Sequence, residues 1–402
     1  MTEYRWAKKE DYINIIEFAN HVFDPKHWTG DFEKDTDKLS YFPRILPKLY
    51  QNIGTAEMHR IAVQDDGTIV GCVGNFILPT YAAGEKLNVI GIGTVSTHPE
   101  HRREGHMIRL MDESIAHAKE VGADYMVLGG QRQRYGHWGF ESAGPNVEFR
   151  VYEDNVRKTF GKEAKFGYTF RKLLPEDREY IMKERLMRTS ALTYTEHEKE
   201  QEYAILFSMG SDPYVILKDG EFAGTFMKFT DHNEMTDLRL VNPEEVLHVV
   251  NDLLKDDQFF KDPDAERMFR INHIAQYDQI LLMKLAEEAE STEIGHCQMI
   301  KILNYARTIG VYLKMAAAYR SLADGEVKLA FENGEKLKIT VRDGVPAVEA
   351  YDGEDCVFLK ERPAVDLLFG EGAFFTDFGT GIPAAAKSWF PLPFFQYMSD
   401  EV

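Results

Sequence analysis

HPEHRREGHM (His98–Met107) lies between a β-rich run, NVIGIGTVST (Asn88–Thr97), and a helical pattern extending from about Gly105 to Val121. Met107, Leu110, Met111, Ile115 and Ala118 share one face of that pattern, the spacing of an amphipathic helix laid on a sheet. A strand therefore ends at Thr97, Pro99 closes it, and a helix opens after two arginines and a glycine. The first turn of a helix leaves backbone N–H groups unpartnered and carries roughly half a positive charge, so it attracts anions. Gly105 lets the backbone approach an oxygen closely, and Arg102 and Arg103 add forked donors suited to phosphate. The GxGxxG and GxxxxGK[ST] spacings are absent, so neither a dinucleotide fingerprint nor a P-loop applies. In isolation a solvated basic turn would look the same.

The flanking sequence supplies a sheet for this loop. YRWAKKEDYINIIEFANHVF (Tyr4–Phe23) reads as an amphipathic helix with Ile13, Ile16 and Ala19 or Asn20 at helical spacing. HRIAVQDDGTIVGCVGNFIL (His59–Leu78) reads as two strands joined at Asp66-Gly67. Downstream come a strand from Asp124, the segment RYGHWGFESAG (Arg134–Gly144) and a last strand near Val147–Tyr152.

From about Lys165 this order repeats. Asp66-Gly67-x-x-x-Gly71 recurs 153 residues on as Asp219-Gly220-x-x-x-Gly224, and strand–Pro99–helix recurs 144 residues on around Pro243. Repetition of both features points to a duplicated unit. Where the first copy has HPEHRREGHM, the second has NPEEVLHVV (Asn242–Val250), with no arginine pair, no glycine and two glutamates. Glu244 and Glu245 at a helix N-terminus would compete with a phosphate for the same N–H groups. The second copy is thus expected to keep the fold without the anion site.

A third block begins near Ser291. It combines a helix-like stretch (Met299–Tyr319), strands with turns at Asn333-Gly334 and Asp343-Gly344, a short helix at Pro363–Gly370 and an aromatic tail, SWFPLPFFQYMSDEV (Ser388–Val402). The expected units are 1–155, 156–290 and 291–402, mixing α/β and α+β architecture; 402 residues suit two or three domains.

The net charge of −19 argues against non-specific nucleic-acid binding and suits a cationic partner. No apolar run approaches the ~18 residues of a membrane span, and MTEYRWAKKEDY lacks a hydrophobic leader. Cys72, Cys297 and Cys356 are widely separated, which reads as reduced thiols in a cytoplasmic protein. The 13 histidines show no tight ligand spacing, so no metal site is expected.

The segment VSTHPEHRREGHM (Val95–Met107) resembles the V-x-V-x-P-x-x-R-x-x-G-x-G/A motif of the GNAT acetyltransferase superfamily, departing from it at Met107. The resemblance implies tandem GNAT folds, with mixed, mostly antiparallel sheets flanked by helices, and acetyl-CoA as cosubstrate. The backbone at Val95 and Thr97 would contact the pantetheine and thioester, and Arg102, Arg103, Glu104, Gly105, His106 and Met107 would wrap the pyrophosphate. The double arginine, the bulky residue after the glycine, the silent second copy and the α+β third block are together similar to the enhanced intracellular survival (Eis) acetyltransferases. That narrower resemblance implies a sterol-carrier-protein-like C-terminal domain, a homo-oligomer of hexamer type, and a C-terminal carboxylate, here Val402, entering the first active site as base.

Forming an amide from a thioester requires an amine with a free lone pair and a proton donor for the departing thiolate. Tyr135 sits in Y-x-x-x-G-F, similar to the family's Y-x-x-x-G-[FY], and is the expected acid; His137 is its rival, with Trp138 and Phe140 as core. A phenol near pKa 10 does not by default protonate a thiolate of pKa about 8.5, so local stabilisation is needed. Asp24, His27, Trp28 and Asp31 are candidates for the acceptor wall, and Asp400 and Glu401 would make the pocket acidic if the tail docks. The acceptor expected is a small cationic amine, such as an aminoglycoside or polyamine, or a lysine side chain. The alternative is a CoA- or lipid-binding regulatory protein without acetyl transfer, or a scaffold with both copies inactive.

Overall fold

The structure is a computed structural model that describes residues 1–29, 34, 41–260, 266–370 and 381–402. The first copy contributes β1 (Thr2–Trp6), α1 (Tyr12–Phe23), β2 (His59–Gln64), β3 (Ile69–Ala82), β4 (Glu85–Thr97), α2 (His106–Glu120), β5 (Tyr125–Leu128) and β6 (Glu141–Tyr152). The second contributes β7 (Tyr168–Lys172), α3 (Arg178–Thr189), β8 (Thr193–Thr195), β9 (Ser211–Lys218), β10 (Glu221–Phe229) and β11 (Glu234–Leu240). It continues with α4 (Val246–Leu254), β12 (Met268–Ile274), α5 (Gln279–Glu288) and β13 (Ser291–Ile302). All 13 strands form one sheet in the order β1-β2-β3-β4-β5-β13-β6-β12-β11-β10-β9-β7, with β8 paired to β3. Within it β4–β5 and β11–β12 are parallel and the other pairs antiparallel.

That order reads alike from both ends, because each copy's sheet is extended by the other's last strand: β13 against β5, and β6 against β12. The duplication extends to side chains. Arg5 holds Asp11 through two guanidinium bonds of 2.7 and 2.9 Å, and Arg171 holds Asp177 through two of 2.7 and 2.8 Å. Each aspartate also accepts the backbone N–H three residues before it. Both copies carry a bulge at the same place. Thr94 and Val95 stand opposite Val73, and Asp237 and Leu238 opposite Phe226; Thr94 and Asp237 have φ of 54° and 51°.

Three sequence expectations need correction. The opening segment is not helical throughout: Thr2–Trp6 is a strand paired with β2, and the helix starts at Tyr12. Its buried face is Ile15, Ile16 and Ala19, while Ile13 is 42% exposed. Secondly, Ser291–Ile302, placed at the head of the third unit, lies inside the large sheet, and the following helix, α6, spans only Tyr305–Tyr319. A swapped strand has its partners over 140 residues away, so local pattern assigns it to the wrong neighbour. Thirdly, β4 begins at Glu85 rather than Asn88, prolonging the β3–β4 hairpin.

The third unit has a separate four-stranded sheet in the order β16-β15-β14-β17, from β14 (Gly325–Phe331), β15 (Lys336–Arg342), β16 (Val345–Ala350) and β17 (Val357–Leu359). It packs with α6 and α7 (Glu361–Phe369) on a core that joins the large sheet through Tyr125, Tyr312, Phe369 and Phe394. Both expected turns are present, with Gly334 and Gly344 at positive φ. No helix among the described residues is long and apolar enough to cross a membrane.

Candidate active site

The site is built where β4 and β5 part. Their pairing runs from Val89–Tyr125 to Ile92–Leu128 and stops; the bulge at Thr94 then turns β4 away. A threonine in the left-handed region is unusual, and Thr94 Oγ1 bonds the buried Tyr50 hydroxyl, which sits 3.1 Å from His59 Nε2. Burial drives His59 down to about 4, so its ring is neutral at physiological pH. Val95 in the bulge and Thr97 beyond it are partly exposed, with Thr97 opposite Gly71 of β3.

Arg102–Gly105 forms an exposed loop before α2, with Arg103 and Gly105 at φ of 72° and 85°. An added Cβ at Gly105 would meet nothing within 4 Å, so the glycine is required by backbone conformation rather than crowding. Among the described residues neither Arg102 nor Arg103 has a carboxylate partner, unlike Arg109, which pairs with Glu113 at 3.1 Å. Met107 packs on the α2 core. His106 is buried, bonded to Tyr4 Oη at 2.7 Å and to Glu104 at 3.1 Å. The side chains of Glu104 and His106 are therefore engaged with each other. His101 also bonds Glu104, and these hydrogen bonds hold Glu104 below the usual carboxylate range. The fold thus brings donor atoms of His101, Glu104 and His106 within 4.8 Å of one another, a grouping that histidine spacing did not foretell.

In the second copy Pro243–Glu245 runs directly into α4. Glu245 sits at the helix N-cap, bonded to Lys218 at 2.8 Å and to the Tyr168 hydroxyl. No positive-φ loop intervenes before α4, and the Glu245 carboxylate, turned to Lys218 and Tyr168, makes no bond to the N–H groups of the helix.

Tyr135 ends a helical turn, Arg132–Tyr135, and is 5% exposed. Burial raises its phenol pKa, opposed by Arg134. Its ring abuts Gly130, just past the end of β5. His137 is exposed; Phe140 is core, and Trp138 is half-buried with Nε1 donating to Asp112 at 2.9 Å.

The C-terminal tail reaches this place from the third unit. An added Cβ at Gly91 would lie 2.6 Å from Val402 Cγ2, and one at Gly93 would lie 2.9 Å from the Val402 carbonyl carbon. Val402 therefore rests on β4 just before the bulge. Four groups that local sequence did not single out fix it. Lys48 Nζ donates to the Ser399 carbonyl, His197 Nε2 bonds Asp400 Oδ1 at 2.9 Å, Asp237 accepts the N–H groups of Met398 and Ser399, and Gln298 donates to Glu401 at 2.8 Å. Gln298 also lies 3.5 Å from the Cβ position of Gly129, which links the tail to the segment carrying Tyr135. Burial would raise Asp400, but the His197 bond, with Lys48 and Arg188, holds it below its ordinary value. Burial brings Lys48 down to about 8 and pushes Glu401 up to about 7. These partners lie 103 to 351 residues from the tail residues they hold, so no local motif records them.

Asp24 and Trp28 lie in the turn that ends α1, where Asp24 bonds His27 Nδ1 at 2.7 Å. Asp31 falls outside the described residues. All three cysteines are free thiols.

Residues 3–143 match the family model described as acetyltransferase (GNAT) domain. The fold is similar to that of an Enterococcus faecalis V583 protein described as a probable N-acyltransferase, with a TM-score of 0.65 and 14% identity over 100% of this chain and 97% of that one. It is also similar to a GCN5-related N-acetyltransferase from Kribbella flavida (TM-score 0.60, 14% identity, 90% of this chain, 87% of that). Eis1 from Mycobacterium abscessus is a further structural relative (TM-score 0.55, 13% identity, 90% and 87%). No curated protein matches the sequence significantly. Residues 3–143 are thus a GNAT acetyltransferase domain, and the protein is an N-acetyltransferase whose cosubstrate is acetyl-CoA.

Proposed function

We propose that the protein acetylates a primary amine of a cationic acceptor, an aminoglycoside, polyamine or lysine side chain, by direct transfer. The observation that carries this reading is the seat of Val402 against Gly91 and Gly93, where a carboxylate can take a proton from an incoming ammonium. The free amine attacks the thioester carbonyl, the tetrahedral intermediate collapses, Tyr135 gives its proton to the departing thiolate, and the proton left on the acetylated nitrogen passes to solvent. Arg102, Arg103 and the N-terminus of α2 hold the pyrophosphate, with the backbone of Val95 and Thr97 along the pantetheine arm. The terminal carboxylate with Glu401 supplies the negative charge that draws in a cation, and Asp24 and Trp28 flank the acceptor's approach. A silent second copy, an α+β third unit and a docked tail together support the Eis-type assignment, including the sterol-carrier-like character of the last domain and a homo-oligomer. The test is thiol release from acetyl-CoA across a panel of polyamines, aminoglycosides and lysine peptides. Turnover with at least one class is expected; release no faster than hydrolysis with every class would refute acetylation of cationic amines.

A further inference from the structure

The two bulges are structural equivalents with different occupants. In the first copy, β4 leaves β5 after Ile92–Leu128 and the bulge begins at Thr94; in the second, β11 leaves β12 after Met235–Ile271 and the bulge begins at Asp237. The second gap is filled by the chain's own tail. Asp237 Oδ1 accepts the Met398 N–H at 3.0 Å and Oδ2 the Ser399 N–H at 2.9 Å. Arg239, two residues further along β11, lies 4.2 Å from the Tyr397 ring, and Tyr277, just past β12, meets the Tyr397 hydroxyl at 3.0 Å. The β11 side therefore grips Tyr397, Met398 and Ser399, and the β12 side meets the first of them, Tyr397. Three residues later the chain ends on Gly93 of the first copy.

We infer that the cofactor cleft of the second copy has become a clamp for the C-terminal tail, and that Asp237 is the positioning residue that sets where the terminal carboxylate lies. This rests on the reading of Val402 as base. The geometry suits the role: two amides bound by one buried carboxylate fix a peptide plane, and charge-assisted bonds of this kind are the stronger sort. Only Asp400, Glu401 and Val402 lie beyond the clamp; Lys48, His197 and Gln298 hold this short stretch in turn, and Asp237 fixes the peptide from which it starts.

The test is Asp237→Asn, which keeps size and one acceptor but turns an amide toward one tail N–H, leaving a buried donor unmatched. Three quantities are read on the full chain: hydrogen exchange at Met398 and Ser399, acetyl-CoA affinity, and turnover with saturating acceptor. The inference expects faster exchange at both amides, acetyl-CoA affinity within about twofold, and turnover reduced by about tenfold or more, the size of one misplaced catalytic contact. Unchanged exchange, or full turnover despite faster exchange, overturns it. Equal loss of affinity and turnover overturns it too, since that marks general damage to the fold. Deleting Val402 separates this inference from the reading beneath it. If the shortened chain keeps the parent rate, the terminal carboxylate is not the base and both fall. If the shortened chain is inactive while Asp237→Asn is fully active, only the clamp falls.

Discussion

Burial raises the pKa of both Tyr135 and Glu401, two ionisable groups to which the proposed mechanism gives a role. A phenol whose pKa is raised by desolvation stays protonated through neutral pH, which is the state a donor to thiolate must be in. Tyr135→Phe removes the proton and keeps the ring against Gly130, so turnover falls by about 10²-fold or more, the usual worth of a positioned acid, while acetyl-CoA affinity is retained. Measured together by steady-state rates and equilibrium binding, equal loss of both would assign Tyr135 to packing instead. Glu401, at about 7 against an ordinary 4.5, changes charge within the working range. Its folded value is the higher one, so its contribution to stability is complete below about 4.5 and is lost as pH rises through 7. Attraction of a cation runs oppositely, appearing as the carboxyl ionises. From about pH 6 to about pH 8, KM for a cationic acceptor should fall in the parent and stay level in Glu401→Gln, whose stability relative to the parent should rise over the same interval. A parallel fall in both proteins would remove Glu401 from acceptor binding.

The loop before α2 and the strand beneath Val402 show what sequence could and could not reveal at the level of elements. The loop's form was legible because its elements are contiguous: strand end, proline, two arginines, glycine and helix occupy residues 95–107. The duplicated hairpin turn and proline were legible for the same reason. Arg5 with Asp11 and Arg171 with Asp177 form a third echo that could have been read, since both pairs have the same spacing. The tail's partners were not legible, because Lys48, His197, Asp237 and Gln298 come together only through the folded sheet. Two element-scale consequences follow. Changing both Arg102 and Arg103 to Ala removes charge-assisted bonds worth ~1.5–3 kcal/mol each, so acetyl-CoA should bind at least about 10-fold more weakly, while an analogue lacking the pyrophosphate should lose little. Gly93→Ala drives a methyl to 2.9 Å from both the Val402 carbonyl carbon and a Phe76 ring carbon. Overpacking of this kind costs about 1–3 kcal/mol, and the tail is the neighbour free to yield. Turnover should fall further than acetyl-CoA affinity; loss of affinity alone would show that the β4 backbone had shifted instead.

At the scale of the whole molecule, the exchange of β6 and β13 makes the three units one folding problem. Each copy presents β5 or β12 as an edge that only the other copy's last strand covers, and an uncovered edge is a liability for aggregation. The third unit adds to this: its core is continuous with the large sheet through Tyr125 and Phe394, and its tail is held by residues of both copies. The second copy is needed for structure, since removing it would leave β6 without β12 and the tail without Asp237. Cooperative units are set by shared buried surface rather than by duplicated sequence, so the chain should unfold in urea as one transition. The tryptophans, Trp6, Trp28, Trp138 and Trp389, lie in the first copy and the third unit, whereas far-UV circular dichroism reports all three. Coincident midpoints from tryptophan fluorescence and circular dichroism are therefore expected, with saturating acetyl-CoA moving both upward together by the linkage of binding to the folded state. A circular-dichroism transition that persists after the fluorescence change is complete, and that ignores acetyl-CoA, would mean that the second copy folds alone and that the shared strands do not bind the units into one body.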